Sequence, residues 1–184
     1  MPASLHPRVG PGGGRAAGAL LLSGLVVAGC AMFQEAGPPI PCPRAVTVAD
    51  AASLTRFDDA GRDLTDVLFE AEIAQIASAC EYDDGAVDVT VQVQFVALRG
   101  PADQQRRGDF DYFVAIADAG QTILARESFD ATIEFPGNKT QAGVVEELEQ
   151  HIPLRADEPG AGYVIYVGFE LTPDELAYNR QRSR

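Results

Sequence analysis

The strongest structural signal in the chain is a strict alternation of side chains between residues 87 and 97. Valine, phenylalanine and alanine occupy the odd positions from Val87 to Ala97, whereas the even positions from Asp88 to Gln94 are polar. A period of two is typical of a β-strand with one buried face. Because a strand buries such a face only within a sheet that packs on another layer, this segment predicts a layered β-structure.

A second alternating segment precedes it and predicts a hairpin partner. Residues Val67–Ile73 alternate, and the phase then shifts so that the apolar face passes to Ile76, Cys80 and Tyr82. Such a shift predicts a β-bulge near Ala74–Gln75. Between the two segments lies Asp83-Asp84-Gly85, a turn signal, because glycine readily adopts a positive φ.

Further strands and turns complete an all-β pattern. The predicted strands are Arg44–Val48, Leu54–Phe57, Phe110–Ala117, Thr122–Phe135, Glu146–Leu154 and Tyr163–Leu171. Seven or eight strands separated by turn signals predict an antiparallel β-sandwich of immunoglobulin-like or fibronectin-III-like type, with a small barrel as the alternative. Thr172-Pro173-Asp174-Glu175 has the form of a capping box and predicts a short C-terminal helix that extends to about Asn179.

The N-terminal 30 residues have the organisation of an export signal. Arg8 and Arg15 precede an apolar run from Ala16 to Val27, which is short for a membrane-spanning helix. The run ends in Val27-Ala28-Gly29-Cys30, which resembles the lipobox of bacterial lipoproteins. An uncleaved anchor helix and an ordinary signal peptide are the alternatives.

The lipoprotein resemblance implies a lipid anchor and a location. Residues 1–29 would be a signal peptide, Cys30 would carry acyl chains that insert into the membrane, and 30–41 would be a lipidated tether. Residues 42–184 would form a periplasmic domain. In lipoproteins the residue after the lipidated cysteine influences sorting, and an aspartate there resembles a signal for retention in the inner membrane. This chain has Ala31 at that position, so the resemblance implies the outer membrane, with the domain facing the periplasm.

The charge distribution limits the partners of the domain. The formal net charge is −13, and residues 30–184 carry 12 basic and 27 acidic side chains, a charge of −15. Such a domain repels phosphate backbones, which excludes nucleic acid as an expected partner. A basic partner, a cation or solubility alone is compatible with the charge.

Two cysteines remain once Cys30 is assigned to the lipid. Cys42 and Cys80 predict a disulfide in an oxidising compartment, and the closed loop would stabilise the fold by about 3–4 kcal/mol. A metal-binding pair and a reactive thiol are the alternatives, but the chain has no C-x-x-C spacing. We expect no bound cofactor and no metal.

Catalytic patterns are weak in this sequence. Beyond the signal segment the chain has one histidine, His151, and no serine lies in a G-x-S-x-G elbow. Carboxylates such as Asp83 and Asp84 leave a hydrolase or a carbohydrate-active protein open. The run Asp58–Asp66 leaves a calcium-stabilised domain open, although Arg62 interrupts it.

A polar segment between two predicted strands is the candidate contact site. Arg99–Asp109 carries three arginines, Arg99, Arg106 and Arg107, on an otherwise acidic domain. Loops on a rigid sandwich commonly carry binding functions. The sequence therefore favours a non-catalytic binding or structural module that works through contacts with envelope proteins.

Overall fold

The computed structural model describes residues 40–58, 61–155 and 158–182, which form two stacked four-stranded sheets and one α-helix. The strands in chain order are β1 (Arg44–Thr47), β2 (Ser53–Phe57), β3 (Val67–Asp83), β4 (Ala86–Arg99), β5 (Arg107–Ala117), β6 (Ile123–Glu134), β7 (Gln141–Pro153) and β8 (Val164–Phe169). Helix α1 spans Pro173–Arg182. The predicted all-β sandwich with a C-terminal helix is confirmed.

One sheet has the strand order β1-β8-β5-β6 and the other has β2-β3-β4-β7. Every pairing is antiparallel except that of β1, which runs parallel to β8. The prediction of a purely antiparallel sandwich is therefore wrong at this edge. Parallel neighbours require a long connection, and here most of the domain lies between the two strands.

The predicted bulge and hairpins are confirmed. The pairing of β3 with β4 changes register between Ile73 and Gln75, so that Ala74 is the extra residue. Gly85 has a φ of 83° in the turn between these strands. At the β5–β6 turn, the Asp118 Oδ1 atom accepts the backbone N–H groups of Gly120 and Thr122, both at 2.9 Å.

The core lies between the sheets and is centred on Phe95, which is 0% exposed. Its ring centroid is 5.1 Å from that of Phe110, 4.9 Å from that of Tyr112 and 5.5 Å from that of Phe169. Tilted aromatic contacts of this kind add to the burial of apolar area. The alternating valines of β4 are buried around this cluster, which explains their period of two.

Two strands extend beyond their predicted limits. β7 begins at Gln141 rather than Glu146, and β5 begins at Arg107 rather than Phe110, so the connecting loop is only Gly100–Arg106. A Cβ atom at Gly108 would lie 3.1 Å from the Phe69 ring. That glycine therefore allows close packing within a strand and does not mark a loop.

Helix α1 has the predicted capping box. The Thr172 N–H donates to Glu175 Oε2 at 2.8 Å, and the Glu175 N–H donates to Thr172 Oγ1 at 3.3 Å. The helix continues past Asn179 to Arg182. No helix among the residues that the structure describes has the length and apolarity needed to cross a membrane.

Candidate functional site

The loop between β4 and β5 is organised around a buried carboxylate. Arg99 Nε donates to Asp103 Oδ2 at 2.6 Å, and the Arg99 guanidinium also donates to the Asp103 carbonyl oxygen. The backbone N–H of Gln105 donates to Asp103 Oδ1 at 2.8 Å. Burial raises the pKa of Asp103, but the hydrogen bonds from Arg99, Gln105 and Arg106 lower it, and the net pKa is below the ordinary value of 3.8. Asp103 thus stays ionised and fixes the loop.

Arg106 connects this loop to the residue that follows the C-terminal end of β6. Its Nε and Nη2 atoms donate to the Phe135 carbonyl oxygen at 3.1 and 3.0 Å, and its φ is 59°. A positive φ is unfavourable for a residue with a side chain. The hydrogen bonds of Arg106 to Asp103 and Phe135 offset this cost, so Arg106 has a structural role in the loop.

Arg107 is the most exposed of the three predicted contact arginines. Its guanidinium pairs with the Asp109 carboxylate through bonds of 2.9 and 2.5 Å, and the Thr132 hydroxyl donates to Asp109 Oδ1 at 2.7 Å. The hydrogen bond from Arg107 lowers the pKa of Asp109 below its ordinary value. The side chain of Arg107 is 45% exposed, compared with 25% for Arg99.

Asp103, Arg107 and Asp109 border a cleft of about 720 Å³ at one end of the sandwich. The cleft is lined by the loop residues Ala102–Gln105, by residues on β5 and β6 and by residues of β2 and β3: Arg107, Asp109, Phe110, Asp111, Asp130, Ala131, Thr132, Arg56, Leu68 and Phe69. Its volume is within the range of sites that hold small ligands or side chains of a partner. Its lining is largely polar and charged.

Two carboxylates in the cleft face each other directly. Asp111 on β5 is paired in register with Asp130 on β6. Like charges at directly opposed positions of an antiparallel pair destabilise the sheet. Neither carboxylate makes a hydrogen bond or an ion pair to another described residue, in contrast to Asp103 and Asp109.

The predicted disulfide lies at the opposite end of the sandwich. Cys42 is bonded to Cys80, with a Cα–Cα distance of 5.8 Å, and the bond joins the segment before β1 to β3 of the other sheet. The Tyr82 hydroxyl donates to the Pro41 carbonyl oxygen at 2.8 Å. The chain therefore enters the described domain at one end of β3, and the cleft lies at the other.

Asp83 and Asp84, which left a hydrolase open, and the described acids of the Asp58–Asp66 run, which left a calcium site open, do not line the cleft. Asp83 and Asp84 are at the hairpin tip, near the disulfide, and the Asp84 N–H donates to Asp83 Oδ1 at 2.7 Å. Asp63 and Asp66 form a capping box around a 3₁₀ turn. Within residues 40–58, 61–155 and 158–182, no three histidine, cysteine or acidic side chains are arranged to hold a metal.

His151 lies on the exposed face of β7. Its Nδ1 atom is 2.7 Å from Asp88 Oδ1 on β4, and its side chain is 66% exposed. A surface pair of this kind contributes little to stability. Cys80 lines the same surface depression as His151, but it is bonded to Cys42 and is therefore not a free thiol.

The lipobox and the lipidation site cannot be related to this geometry. Cys30, the signal segment 1–29 and all but residues 40 and 41 of the predicted tether lie outside the described residues.

Several cleft residues were not found by sequence reasoning. Asp130 and Thr132 lie in a regular strand whose alternation indicates only that they face solvent. The register of β5 with β6, which the Asp118–Gly120 turn could have suggested, is the one signal that places Asp111 opposite Asp130. Arg56 gives no sequence signal, because it reaches the cleft from β2.

No protein family model, no curated protein and no solved structure matches this chain. Its candidate site therefore has to be interpreted from its own geometry.

Proposed function

We propose that this protein is a lipid-anchored bacterial envelope lipoprotein whose β-sandwich acts as a non-catalytic binding module through protein contacts. Cys30 carries the acyl chains in the outer membrane, residues 30–41 form the tether, and the domain faces the periplasm. The disulfide supports an oxidising compartment. The position of the cleft, at the opposite end of the sandwich from Pro41 and Cys42, carries the proposal, because the tether then joins the domain at the end that does not carry the cleft.

In this proposal the sandwich is of the immunoglobulin or fibronectin III type. Immunoglobulin domains contain the strand orders A-B-E in one sheet and G-F-C-C′ in the other. The orders β3-β4-β7 and β8-β5-β6 correspond to A-B-E and F-C-C′. Strand β1 takes the place of G beside β8, although it runs parallel to its neighbour.

The electrostatics of the cleft favour binding over acid–base chemistry. A carboxyl group that donates a proton near neutral pH needs a raised pKa. The pKa values of Asp103 and Asp109 are instead lowered by their hydrogen bonds to arginine and to backbone or hydroxyl donors. Both stay charged and oriented, which suits recognition of polar groups on a partner.

The contact proposal predicts a specific loss of a partner. Arg107→Gln removes the exposed guanidinium of the cleft and leaves Arg99 and Arg106, which hold the loop together. Crosslinking in intact envelopes should recover a stoichiometric partner with the unaltered protein and much less of it with Arg107→Gln. Lys139→Ala, which removes an exposed cation outside the cleft, is the control. The same partner yield from Arg107→Gln as from the control would contradict the proposal.

The anchor is tested separately. Mass spectrometry should find acyl chains on Cys30 of the unaltered protein, whereas Cys30→Ala should carry none and should retain the signal segment. An unmodified Cys30 in a membrane-bound protein would contradict the lipoprotein assignment.

A further inference from the structure

One side of the sandwich has two long strands whose outer edges no described strand pairs with. β6 has 12 residues and hydrogen-bonds only with β5, and β7 has 13 residues and hydrogen-bonds only with β4. An unpaired edge is a row of backbone donors and acceptors that another strand can use. We call the surface formed by β6 and β7 the open side.

The first half of β6 is the most accessible part of the open side. All six residues from Ile123 to Ser128 are exposed, although alternate residues point to the inner and the outer face of the sheet. Ile123 is 52% and Leu124 is 55% exposed. The opposite sheet therefore does not cover this segment, and a further strand could lie beside it without displacing any described element.

The hydrogen-bond pattern identifies the backbone groups that β6 presents. The Phe135 N–H donates to the Arg106 carbonyl oxygen at 2.8 Å, in register with the rest of the β5–β6 pairing. In an antiparallel pair, every second residue directs its backbone N–H and C=O groups to the partner strand, and the residues between them direct theirs away from it. Arg126, Ser128 and Asp130 therefore direct their backbone N–H and C=O groups to the free edge.

The edge of β7 has one protection that the edge of β6 lacks. The Leu154 N–H donates to the Gly85 carbonyl oxygen, so the same alternation places Pro153 at an outward position, where it has no N–H to donate. Both strands direct a glutamate to the inner face, Glu146 on β7 and Glu127 on β6, and such a charge opposes the addition of an uncharged or acidic strand. Between the two edges, β6 is thus the acceptor.

The charges of the open side select the partner. Glu127 and Glu146 face the space between the two edges, and Glu147 and Glu149 follow on the outer face of β7. The one arginine of β6, Arg126, is paired with Glu170 at 2.6 Å and lies 4.5 Å from the Phe113 ring. A second copy of this acidic chain would bring like charges together, whereas a basic segment would be attracted.

We propose that the outer edge of β6 binds an extended segment of a partner protein that carries lysine or arginine at every second position. Main-chain hydrogen bonds to Arg126, Ser128 and Asp130 supply the affinity in this mode, and the alternate side chains supply the specificity. Because Glu127 lies on the inner face of β6, the basic side chains point to that face, where they pair with Glu127 and Glu146. The inference rests on the proposed binding role of the domain, and the edge shares only Asp130 with the lining of the cleft.

The test uses the full-length protein in detergent and a synthetic peptide of about eight residues that alternates lysine with valine. Amide hydrogen exchange is followed by NMR at Arg126, Ser128 and Asp130. With the peptide at ten times its dissociation constant, mass action slows exchange at these amides by about tenfold. A peptide with glutamate in place of each lysine should leave them unchanged.

Two pairs of variants make the result specific to the edge. Asp130→Pro removes one outward N–H and should abolish the protection at Arg126 and Ser128, whereas Asp130→Ala should retain it. Glu127→Lys leaves the backbone intact and should raise the dissociation constant of the lysine peptide at least tenfold more than Glu127→Gln does. The test therefore does not depend on the proline variant folding.

Three outcomes would overturn the inference: unchanged β6 amides, equal protection by the glutamate peptide, or protection of β7 instead. Protection of β6 without peptide, together with a dimer in sedimentation, would also overturn it, because a second copy would then be the occupant. The peptide test involves neither Arg107 nor an envelope partner. Its failure is therefore distinguishable from failure of the cleft proposal, which the Arg107→Gln crosslinking reports.

Discussion

The two sides of the sandwich solve the problem of exposed strand edges differently. On one side the edge strands are short, with four residues in β1 and five in β2, and α1 packs against β2. On the open side the edge strands β6 and β7 are two to three times as long, and within the described residues no helix packs on them. The fold therefore covers the short edge of β2 within the chain and leaves its long edges accessible.

Polar side chains of α1 close the covered side. The Asn179 side-chain amide donates to the Ser53 carbonyl oxygen of β2 at 2.7 Å, and Arg182 donates to Glu70 at 2.9 Å. Tyr178 packs edge-on against Phe57, with ring centroids 5.2 Å apart. Asn179 thus satisfies a backbone acceptor of β2 that has no strand partner, which protects the edge from another chain.

Loss of the disulfide should weaken the covered side most. The double variant Cys42→Ala, Cys80→Ala should lose about 3–4 kcal/mol of unfolding free energy, because the bond closes a long loop in the unfolded chain. Urea unfolding of the variant and of the unaltered protein with reductant measures this. The double variant and the reduced protein should have the same unfolding free energy. A loss below about 1 kcal/mol relative to the oxidised protein would show that α1 and the sheet hold this side without the bond.

Asn179→Ala should have the second-largest effect. It leaves the backbone carbonyl groups of Asp50 and Ser53 without the buried amide donor that now lies 3.1 and 2.7 Å away. The expected loss is about 1–3 kcal/mol in urea unfolding. Gln181→Ala, on an exposed position of the same helix, is the control and should change the stability by less than about 0.5 kcal/mol. Equal effects of the two variants would contradict the closing role of Asn179.

A smaller effect should appear at acid pH near the open side. Burial raises the pKa of Glu170, but hydrogen bonds from Ser128 and Arg126 lower it, with a net pKa below the ordinary 4.5. A carboxyl group with a lowered pKa stabilises the fold at higher pH, and this contribution disappears as the pH falls through its folded-state pKa, below 4.5.

Glu170→Gln should therefore reduce stability by about 0.5 kcal/mol near neutral pH and make little difference well below pH 4.5. Thermal unfolding across this range measures it. Glu72→Gln replaces an exposed glutamate whose carboxylate accepts no hydrogen bond from a described residue, and its stability should show no such dependence on pH. A constant deficit of Glu170→Gln at every pH would contradict the assigned cause.

Replacement of Glu146 should change the stability least, but it should change how the protein associates. Glu146→Leu removes an inward-pointing charge from the open side, and the expected change in unfolding free energy is within about 0.5 kcal/mol. Concentration-dependent self-association should appear in sedimentation, because the edge loses its protection. Glu149→Leu, on the outer face of the same strand, should remain monomeric under the same conditions. Equal association of both variants would attribute the effect to added hydrophobicity alone.

The periodic parts of this fold were predictable from the sequence. The alternation from Val87 to Ala97, the bulge at Ala74 and the turn at Gly85 depend on local pattern and backbone sterics, which a sequence displays directly. The disulfide between Cys42 and Cys80 followed from counting the cysteines once Cys30 was assigned elsewhere, and the structure confirms it.

Features that depend on distant partners were not predictable. Arg106 resembles a free surface arginine in the sequence, yet its partner is the carbonyl oxygen of Phe135, 29 residues away. The parallel direction of β1 depends on its position beside β8, near the other end of the chain. The first residues of β7 alternate weakly because an edge strand is only half-buried, so Gln141 gave no clear strand signal.

The connection of Cys42 to Cys80 has a mechanical consequence. A pull on the chain at Pro41 reaches the covalent bond before it reaches β1, which has only four residues to hold it beside β8. The force passes instead into β3, which has 17 residues and is paired along its length with β4. The strand that would peel away most easily is thereby shielded from tension, and the load is carried by shear along the longest ladder of the domain.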